Sequence, residues 1–514
     1  MRLIRVWFVV HLSLTVPSVV HMFGELLDTA KVCLYMQCTK EGSKLTLLFN
    51  ETMWKAFTPQ PNSAFDFSSF NWSELDSLVQ ENQTFEVVFN RLVIPHIDKL
   101  QGHESVTTLN LENNCISTIE VEAFENFINL ITLSLRGNMI TQVHDFVDYP
   151  NNLQHLDLSN NSIKDIVRLK TFTLPHLRHL NLSHNRIESI RTELSKLEAL
   201  ETLDLSHNAI KRGEKPIVLP PNVRQLLLQH NELTTWPFES VPETLTELSL
   251  RFNQIDQIAR QTTNVRSLDL SSNRLAIFPG EYFPLLEELD LSSNYFEEFP
   301  RFGNQTKSIG KISFNRMPNL RSIGRSTFAA IADNLQELEI SFCPRLATIE
   351  PNTFIDLKAL NRLDLSYNAL QQVPENMAHW QQIEHGVDLQ GNPINCNCSM
   401  QWLADRVIPA MHSRPELHKL FPMLRCAQPP MYQNYLIVHL TVHDNLMCRK
   451  YREMDLPGME TVVQAMKEHR QMQVVWAQKI ILSCLIVGII LMGCYLAYLK
   501  HKYPRHRIRP LYYK

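Results

Sequence analysis

One apolar spacing, L-x-x-L-x-L-x-x-N-x-L, recurs along most of this 514-residue chain. The first regular copy starts at Val106, a degenerate copy precedes it from Phe85, and a weaker last copy ends at Ile394. Successive copies are spaced by about 20 to 26 residues. The asparagines of the regular copies are Asn114, Asn138, Asn161, Asn185, Asn208, Asn231, Asn253, Asn273, Asn294, Asn368 and Asn392. A unit this short cannot bury an apolar face alone, so the copies must stack on one another.

The spacing within a copy predicts its local structure. Leucines at alternate positions predict a short strand whose apolar side chains point inward, followed by a turn and a looser return segment. The asparagine leaves the strand and is expected to bond to backbone groups of the neighbouring turn that would otherwise be buried and unpaired. We therefore predict an α/β solenoid, a leucine-rich-repeat horseshoe over residues 82–395 with about 13 to 14 repeats and a parallel sheet on its concave face.

Two copies depart from the pattern, because Met317 and Cys343 stand where asparagine is expected. These copies are also the longest, so we expect the coil to widen or kink across residues 303–350. Irregular repeats can hold a ligand; alternatively the turn is only altered locally, with Cys343 as a buried apolar substitute for asparagine. Some nine strand spacings of about 4.8 Å separate Cys343 from Cys115, so both are expected to be free thiols.

Both ends of the chain carry addressing segments. Arg2 and Arg5 precede an apolar stretch, which predicts a signal peptide over residues 1–24. Residues 480–499 contain no charge and are long enough to cross a bilayer core of about 30 Å, which predicts a transmembrane helix over 479–499. The basic residues that follow place the tail, 500–514, in the cytoplasm. We expect a single-pass type I plasma-membrane protein with an extracellular N-terminus and a stalk over 449–478.

The cysteines and the glycosylation sequons agree with passage through the secretory pathway. Six cysteines lie near the two ends of the predicted ectodomain, as expected for disulfides that protect solenoid ends in an oxidising compartment; they are Cys33, Cys38, Cys396, Cys398, Cys426 and Cys448. The Asn-x-Ser/Thr sequons are at Asn50, Asn71, Asn82, Asn160, Asn181, Asn304 and Asn397. The residues alone leave the pairing of the four C-terminal cysteines open.

The segment after the last repeat has the most specific motif in the chain. The run N-P-x-x-C-x-C-x-x-x-W-L over residues 392–403 resembles the C-terminal flanking cap of extracellular leucine-rich-repeat proteins. This resemblance implies a cap over 396–448, with Cys396 paired to Cys426, Cys398 paired to Cys448, and Trp402 packed over the last repeat. The N-terminal cap, within residues 25–81, matches less well, because Cys33 and Cys38 replace the family's four cysteines. We expect a small hairpin closed by one disulfide.

A cluster of aromatic residues lies between this hairpin and the first repeat. It either forms an exposed adhesive loop or plugs the open end of the solenoid. Its members are Phe57, Phe65, Phe67, Phe70 and Trp72.

Enzymatic chemistry is not predicted. The sequence has no H-E-x-x-H, no G-x-S-x-G and no paired C-x-x-C motif, and the region from Gly303 to Lys311 lacks the spacing of a phosphate-binding loop. A net charge of −4 gives no overall indication of nucleic-acid binding. We expect no catalytic residues, no cofactor, no metal site and no nucleic-acid partner.

Fixed repeat spacing places equivalent residues side by side, so columns on the concave strands form a candidate ligand face. One column is rich in acids and suggests a basic or polar partner, although Asp is also a common choice at this repeat position. Its candidate residues are Asp157, Asp204, Asp269, Asp290, Glu339 and Asp364. Asn181 stands in the same column, where a glycan would shield the middle of the face.

A second column holds His184, His207 and His230, with His179 nearby. Imidazoles about 4.8 Å apart could titrate together or hold a metal ion, and we interpret the column as a pH-sensitive ligand contact. Ordinary surface histidines are the alternative, because L-S-H-N is a common spelling of the repeat.

The predicted ectodomain resembles those of neuronal adhesion molecules and Toll-like receptors. The resemblance implies a receptor or adhesion protein that binds an extracellular protein or a like molecule on another cell. The fifteen-residue tail is too short for a Toll-type signalling domain, so a cis co-receptor would carry any signal. The alternatives are an innate immune receptor with an associated chain and a membrane-tethered matrix organiser. A lateral dimer through Gly493 and Ala497 is a further hypothesis.

Overall fold

The computed structural model describes residues 37–41, 44–50, Trp72, Leu75 and 84–440, with gaps at 144–151, 167–173, 191, 193, 212–215, 304–305, 307 and 326. The predicted signal peptide, stalk, membrane helix and tail lie outside these residues. So do Cys33, Cys448, the sequons at Asn71, Asn82 and Asn304, and the side chains of Cys38 and Asn50. Within the described ranges, no helix has the length and apolar character needed to cross a membrane.

One 16-stranded sheet runs through the described chain. Strands β1 and β2 pair antiparallel as a hairpin, and the later strands of the sheet add in parallel. Strand pairs β4–β6, β16–β18 and β21–β22 form three small sheets outside it. In chain order the strands are β1 (Gln37–Glu41), β2 (Lys44–Asn50), β3 (Thr84–Asn90), β4 (His96–Ile97), β5 (Val106–Asn110), β6 (Thr118–Ile119), β7 (Thr132–Ser134), β8 (His155–Asp157), β9 (His179–Asn181), β10 (Thr202–Asp204), β11 (Gln225–Leu227), β12 (Glu247–Ser249), β13 (Ser267–Asp269), β14 (Glu288–Asp290), β15 (Lys311–Ser313), β16 (Ser322–Ile323), β17 (Glu337–Glu339), β18 (Thr348–Ile349), β19 (Arg362–Asp364), β20 (Val387–Asp388), β21 (Ile394–Asn395) and β22 (Cys426–Gln428).

The repeat strands have the alternation that the sequence predicts. In β8 the central Leu156 is 2% exposed, whereas His155 and Asp157 on either side are half-buried. Leu156 pairs with Leu180 of the next strand, so the leucines of successive copies stack directly. Burial of each leucine against its neighbours stabilises the fold by about 2 kcal/mol per side chain. The predicted leucine-rich solenoid is confirmed.

The return segments differ from the predicted α/β class. Between the repeat strands, the described residues form 3-10 turns, two-residue strands and irregular segments, because a repeat of this length leaves too few residues for a long helix. Among the described residues, the 3-10 segments are Gly280–Tyr282, Ala329–Ile331, Glu375–Met377, Trp380–Gln382, Cys398–Met400, Pro415–Leu420 and Pro430–Tyr432, the last three of which follow the last repeat strand. In the described part of the chain, the α-helices are Ile408–His412 and Ile437–Leu440, and Leu403–Val407 forms a π-turn, all within the C-terminal segment.

The repeat asparagines form a hydrogen-bond ladder. Asn161 illustrates it: Ile140 N donates to Oδ1 at 3.0 Å, while Nδ2 donates to Leu135 O and Leu158 O, both at 3.0 Å. Leu158 O accepts a second bond, at 2.9 Å, from Asn185 of the next copy. Each asparagine therefore joins its own turn to that of the preceding copy, as the sequence predicts, and leaves these buried backbone groups paired.

The two irregular copies modify this ladder without disturbing the main sheet. Strands β14, β15 and β17 pair in continuous register, and the extra residues form β16 and β18 outside the sheet. Cys343 is fully buried, yet it is not a purely apolar substitute: Met317 N donates to its sulfur at 3.4 Å, and the thiol donates to Ser341 O at 3.4 Å. Burial raises the pKa of this thiol to about 11, so it stays protonated. Met317 is buried too, and its side chain has no amide to make the bonds of the ladder.

Both ends of the repeat array are closed by aromatic packing. At the N-terminal end, Trp72 is 1% exposed and its ring lies 4.8 Å from Phe127, edge to face. The other four aromatic residues of that cluster lie outside the described residues. At the other end Trp402 is buried with its ring 5.0 Å from Trp380.

Both cysteines of one of the two predicted C-terminal disulfides lie among the described residues. Cys396 and Cys426 are bonded, with their Cα atoms 5.6 Å apart. Cys398 is also disulfide-bonded, and its predicted partner Cys448 lies outside the described residues. Cys115 and Cys343 are free.

Replacing Asn161 with Leu should destabilise the protein by about 3 kcal/mol, because Ile140 N loses its acceptor and the bonds from Nδ2 to Leu135 O, Leu158 O and Ser159 O disappear. Urea unfolding of the full chain measures the change. The control is Asn152→Leu: Asn152 is exposed and donates one bond, to Ile128 O. Equal losses from the two substitutions would contradict the ladder as the main link between repeats.

Candidate functional site

The acidic column lies on the concave strands, and its residues also close the turns after them. Ser159 N donates to Asp157 Oδ1 at 2.8 Å, and Ser206 N makes the same bond to Asp204 at 2.9 Å. Asp269, Asp290 and Asp364 each accept the equivalent bond. Asn181 accepts it as well, at 3.0 Å from Ser183 N. One side-chain oxygen is therefore structural at every such position, and an amide serves as well as a carboxylate.

Glu339 differs from the aspartates of this column because its turn is closed by Asn315, which accepts from Ser341 N at 2.8 Å. The Glu339 carboxylate accepts from Ser313 Oγ at 3.2 Å and lies 3.5 Å from the Arg362 guanidinium. Neighbouring strands thus hold it in place.

Close packing of the column makes some carboxylates harder to ionise. Burial raises the pKa of Asp290, and the negative charge of Asp269 on the adjacent strand raises it further, against the opposing bonds from Ser292. Burial and the charge of Asp364 likewise raise the pKa of Asp388. When they are ionised, the carboxylates of the column repel one another, and a basic partner would reduce that repulsion.

The second half of the concave face carries most of this negative charge. Besides the column, strands β12, β14 and β17 each begin with a glutamate. Lys311 lies 3.5 Å from one of these, Glu337, and both are partly solvent-exposed, so the pair offsets little of the surrounding charge. The acids on strands β12–β20 are Glu247, Asp269, Glu288, Asp290, Glu337, Glu339, Asp364 and Asp388. We call this set the acidic half.

The first half of the concave face contains an open depression of about 330 Å³. Buried leucines form its floor, and two stacked imidazoles, His155 and His179, lie in it with their ring centroids 4.4 Å apart. Asp157, Asn181 and Asp204 also line it. Two of the predicted ligand-face aspartates and one histidine therefore come together here.

The other histidines of the predicted face lie elsewhere. His184, His207 and His230 are not on the three-residue strands but in the turns that follow, each with a positive φ of 54 to 57°. Equal turn geometry stacks the rings at 4.1 Å, and Phe252 continues the stack at 4.3 Å from His230. We call these four residues the ring stack. The ring stack is separate from the His155–His179 pair. His184 lies five residues after His179 and beyond the end of β9, so it is in the turn and not on the strand.

Metal binding by the ring stack is not supported by its geometry, because parallel stacked imidazoles direct their nitrogen lone pairs side by side and not towards one point. Within the described ranges, another group, His96, Asp98 and Glu120, has ligand atoms within 4.8 Å of one another. All three are exposed, and His96 already bonds to Thr118 Oγ1 at 2.5 Å and to Asp98 at 2.8 Å. These bonds account for the cluster without an ion.

Asp290→Asn should keep the turn bond and remove an ionisation that the fold disfavours. A raised carboxylate pKa contributes stability at low pH that is lost as pH rises through the folded value, so the variant should be as stable as the parent or more stable near neutral pH. Its advantage should vanish in acid, as followed by thermal melting over a pH series. A variant less stable than the parent at neutral pH would show that the charge itself is structural.

Acidification should destabilise the ring stack. Burial first, and then the charges of His184 and His230, lower the pKa of His207. The stability that the neutral imidazole contributes is fully present above about pH 6.5, the pKa of histidine in the unfolded chain. It is lost as pH falls through the lower pKa of the folded state. Melting temperature should therefore fall between about pH 7.5 and about pH 5.5, and fall less in His207→Gln. Exposed His176→Gln is the control; equal pH dependence in the two variants would refute the coupling.

Comparison with known proteins agrees with this architecture. The leucine rich repeat family profile matches residues 104–163, 151–210, 175–233 and 333–394, and a related leucine rich repeat profile matches 241–257. The CD180 antigen of Mus musculus is 26% identical over 385 residues, which is 66% of this chain and 55% of that protein. The chain thus spans about half the length of this curated relative.

Two further similarities are informative. Lumican of Rattus norvegicus is 31% identical over 246 residues, covering 45% of this chain and 70% of that protein. Among solved structures, the TLR13–ssRNA13 complex matches with a TM-score of 0.54 at 20% identity, covering 70% of this chain and 57% of that one. At that identity the structural likeness concerns the fold alone. On the repeat profiles, the lumican match and the asparagine ladder together, the chain belongs to the leucine-rich-repeat family.

Proposed function

We propose that this protein is a cell-surface recognition receptor or adhesion molecule that binds an extracellular protein through the concave face, with no catalytic activity of its own. The observation that carries the proposal is the acidic half. Its acids lie on every strand of the main sheet from β12 to β20 except β15, and the basic residues on these strands are Lys311 and Arg362. A surface of one sign favours a partner of the opposite sign, so the ligand would present a basic patch.

The geometry of the face suits a protein ligand better than a small molecule. The acids are spread along several strands about 4.8 Å apart, which gives an extended surface and not an enclosed pocket. The depression is small and open, and it lies beside the acidic half and not within it. Ligand affinity should therefore depend on salt concentration, since exposed charge pairs are screened beyond about 8 Å at physiological ionic strength.

Immune recognition is the second candidate. The similarity to mouse CD180 antigen, which extends over 385 residues, favours it. In that case the protein would act as a receptor or co-receptor and pass its signal to an associated chain.

A cell-mixing experiment tests the adhesion proposal. Non-adherent cells that express the full chain are mixed with cells that lack it, after surface expression has been verified. Clusters of expressing cells alone indicate homophilic binding, and mixed clusters indicate a different partner. Expressing cells that form neither kind of cluster would contradict adhesion and leave immune recognition as the remaining proposal.

The acidic half can be tested in the same assay with Asp269→Asn combined with Asp364→Asn. Both amides retain the turn bond, as Asn181 does, so the fold should persist while two charges are lost. We expect clustering to weaken several-fold. The matched control combines Asp256→Asn with Asp356→Asn, two exposed acids outside the sheet. An equal effect in both double variants would mean that only overall charge matters.

A further inference from the structure

Asn181 is the one sequon residue among the described residues whose side chain lines the concave depression. The sequon is Asn181-Leu182-Ser183, and it straddles the end of β9. Leu182 is fully buried and fixes this segment against the core. The backbone at Asn181 therefore has little freedom to turn its side chain away from the concave face.

Hydrogen bonds set the direction of the Asn181 amide. Its Oδ1 accepts from Ser183 N at 3.0 Å and from Ser183 Oγ at 2.7 Å. Because the oxygen is directed into the turn, the amide nitrogen on the opposite side of the same planar group is directed away from it. Asparagines of the ladder differ, since Asn185 uses its Nδ2 to donate to Leu158 O and Leu182 O.

Asn397 shows that this arrangement is not unique to the depression. Its Oδ1 accepts from Ser399 N at 3.0 Å and from Ser399 Oγ at 2.6 Å, within the third described sequon. The remaining described sequon residue, Asn160, is exposed in a turn. These two provide internal references outside the concave strands.

We propose that an N-linked glycan on Asn181 fills the depression and confines protein ligands to the acidic half. This inference rests on the proposed function, and it requires that the chain pass through a compartment that supplies a glycosyl diphosphate donor. The Asn181 nitrogen bonds to the donor's anomeric carbon, the bond from that carbon to phosphate breaks, the diphosphate leaves with the electron pair, and the amide proton passes to a base. Attachment precedes folding, because Ser183 is 5% exposed in the folded chain.

The glycan has a defined effect on the face. It covers His155, His179 and the neighbouring strand β10, whose Thr202 lines the same depression. Strand β13 lies three strands further along the sheet, roughly 15 Å away, and stays uncovered. The sugar thus separates the concave face into a shielded first half and an accessible acidic half.

The first experiment is glycopeptide mass spectrometry of the full chain expressed through the secretory pathway. We expect Asn181 to be modified in most molecules, together with Asn160 or Asn397. Modification of the references without Asn181 would overturn this inference and leave the proposed function intact. An absence of sugar from every sequon would overturn the proposed function as well.

The second experiment measures shielding with a cysteine probe and a bulky polyethylene-glycol maleimide. Thr202→Cys should react several-fold faster in an Asn181→Asp background, because Asp157 and Asp204 show that aspartate keeps the turn bond. Ser267→Cys, at the same column position in β13, should react at one rate in both backgrounds. The parent chain gives the baseline from the free thiols Cys115 and Cys343. Equal rates at position 202 in the two backgrounds would refute shielding.

Discussion

The asparagine ladder is the interaction on which the rest of this structure depends. Turns after each strand bury backbone groups that water cannot reach, and an unpaired group of that kind costs about 1 to 3 kcal/mol. Asparagine resolves the problem because one planar amide both accepts from the preceding turn and donates to carbonyls of its own copy and of the preceding copy, as Asn161 does. With the turns fixed, the leucines stack in register and the side chains between them form ordered columns. The concave face is a consequence of that order.

Much of the fold could be predicted from the sequence, because each copy of a repeated unit makes the same contacts with its neighbours. The inward leucines, the parallel sheet and the role of asparagine could all be predicted from one spacing. The return segments could not be predicted as well, since their residues vary between copies and their conformation depends on packing against neighbours. Cys343 illustrates the same limit: its burial was expected, but its bonds to Met317 N and Ser341 O depend on the exact path of two adjacent turns.

At the candidate site, repeat spacing alone does not show which residues lie on the strands and which lie in the turns. His179 and His184 lie close in sequence, yet the strand ends at Asn181, so one ring is on the sheet and the other is in the turn. The dual role of the acidic column was also hidden, although Asn181 among the aspartates was a signal that an amide suffices there. Sequence spacing identifies which residues repeat; it does not reveal which atom of a side chain the fold already uses.

The interruption of the ladder at Met317 has a mechanical consequence. In a solenoid each repeat contacts only its neighbours, so cooperativity is transmitted from one junction to the next. The Met317 side chain supplies no amide, the Cys343 thiol replaces a second amide, and the two residues occupy adjacent copies in the interior of the array. Under tension or heat, the array on either side of this junction would behave as two blocks, with the seam between them opening before the blocks themselves unravel.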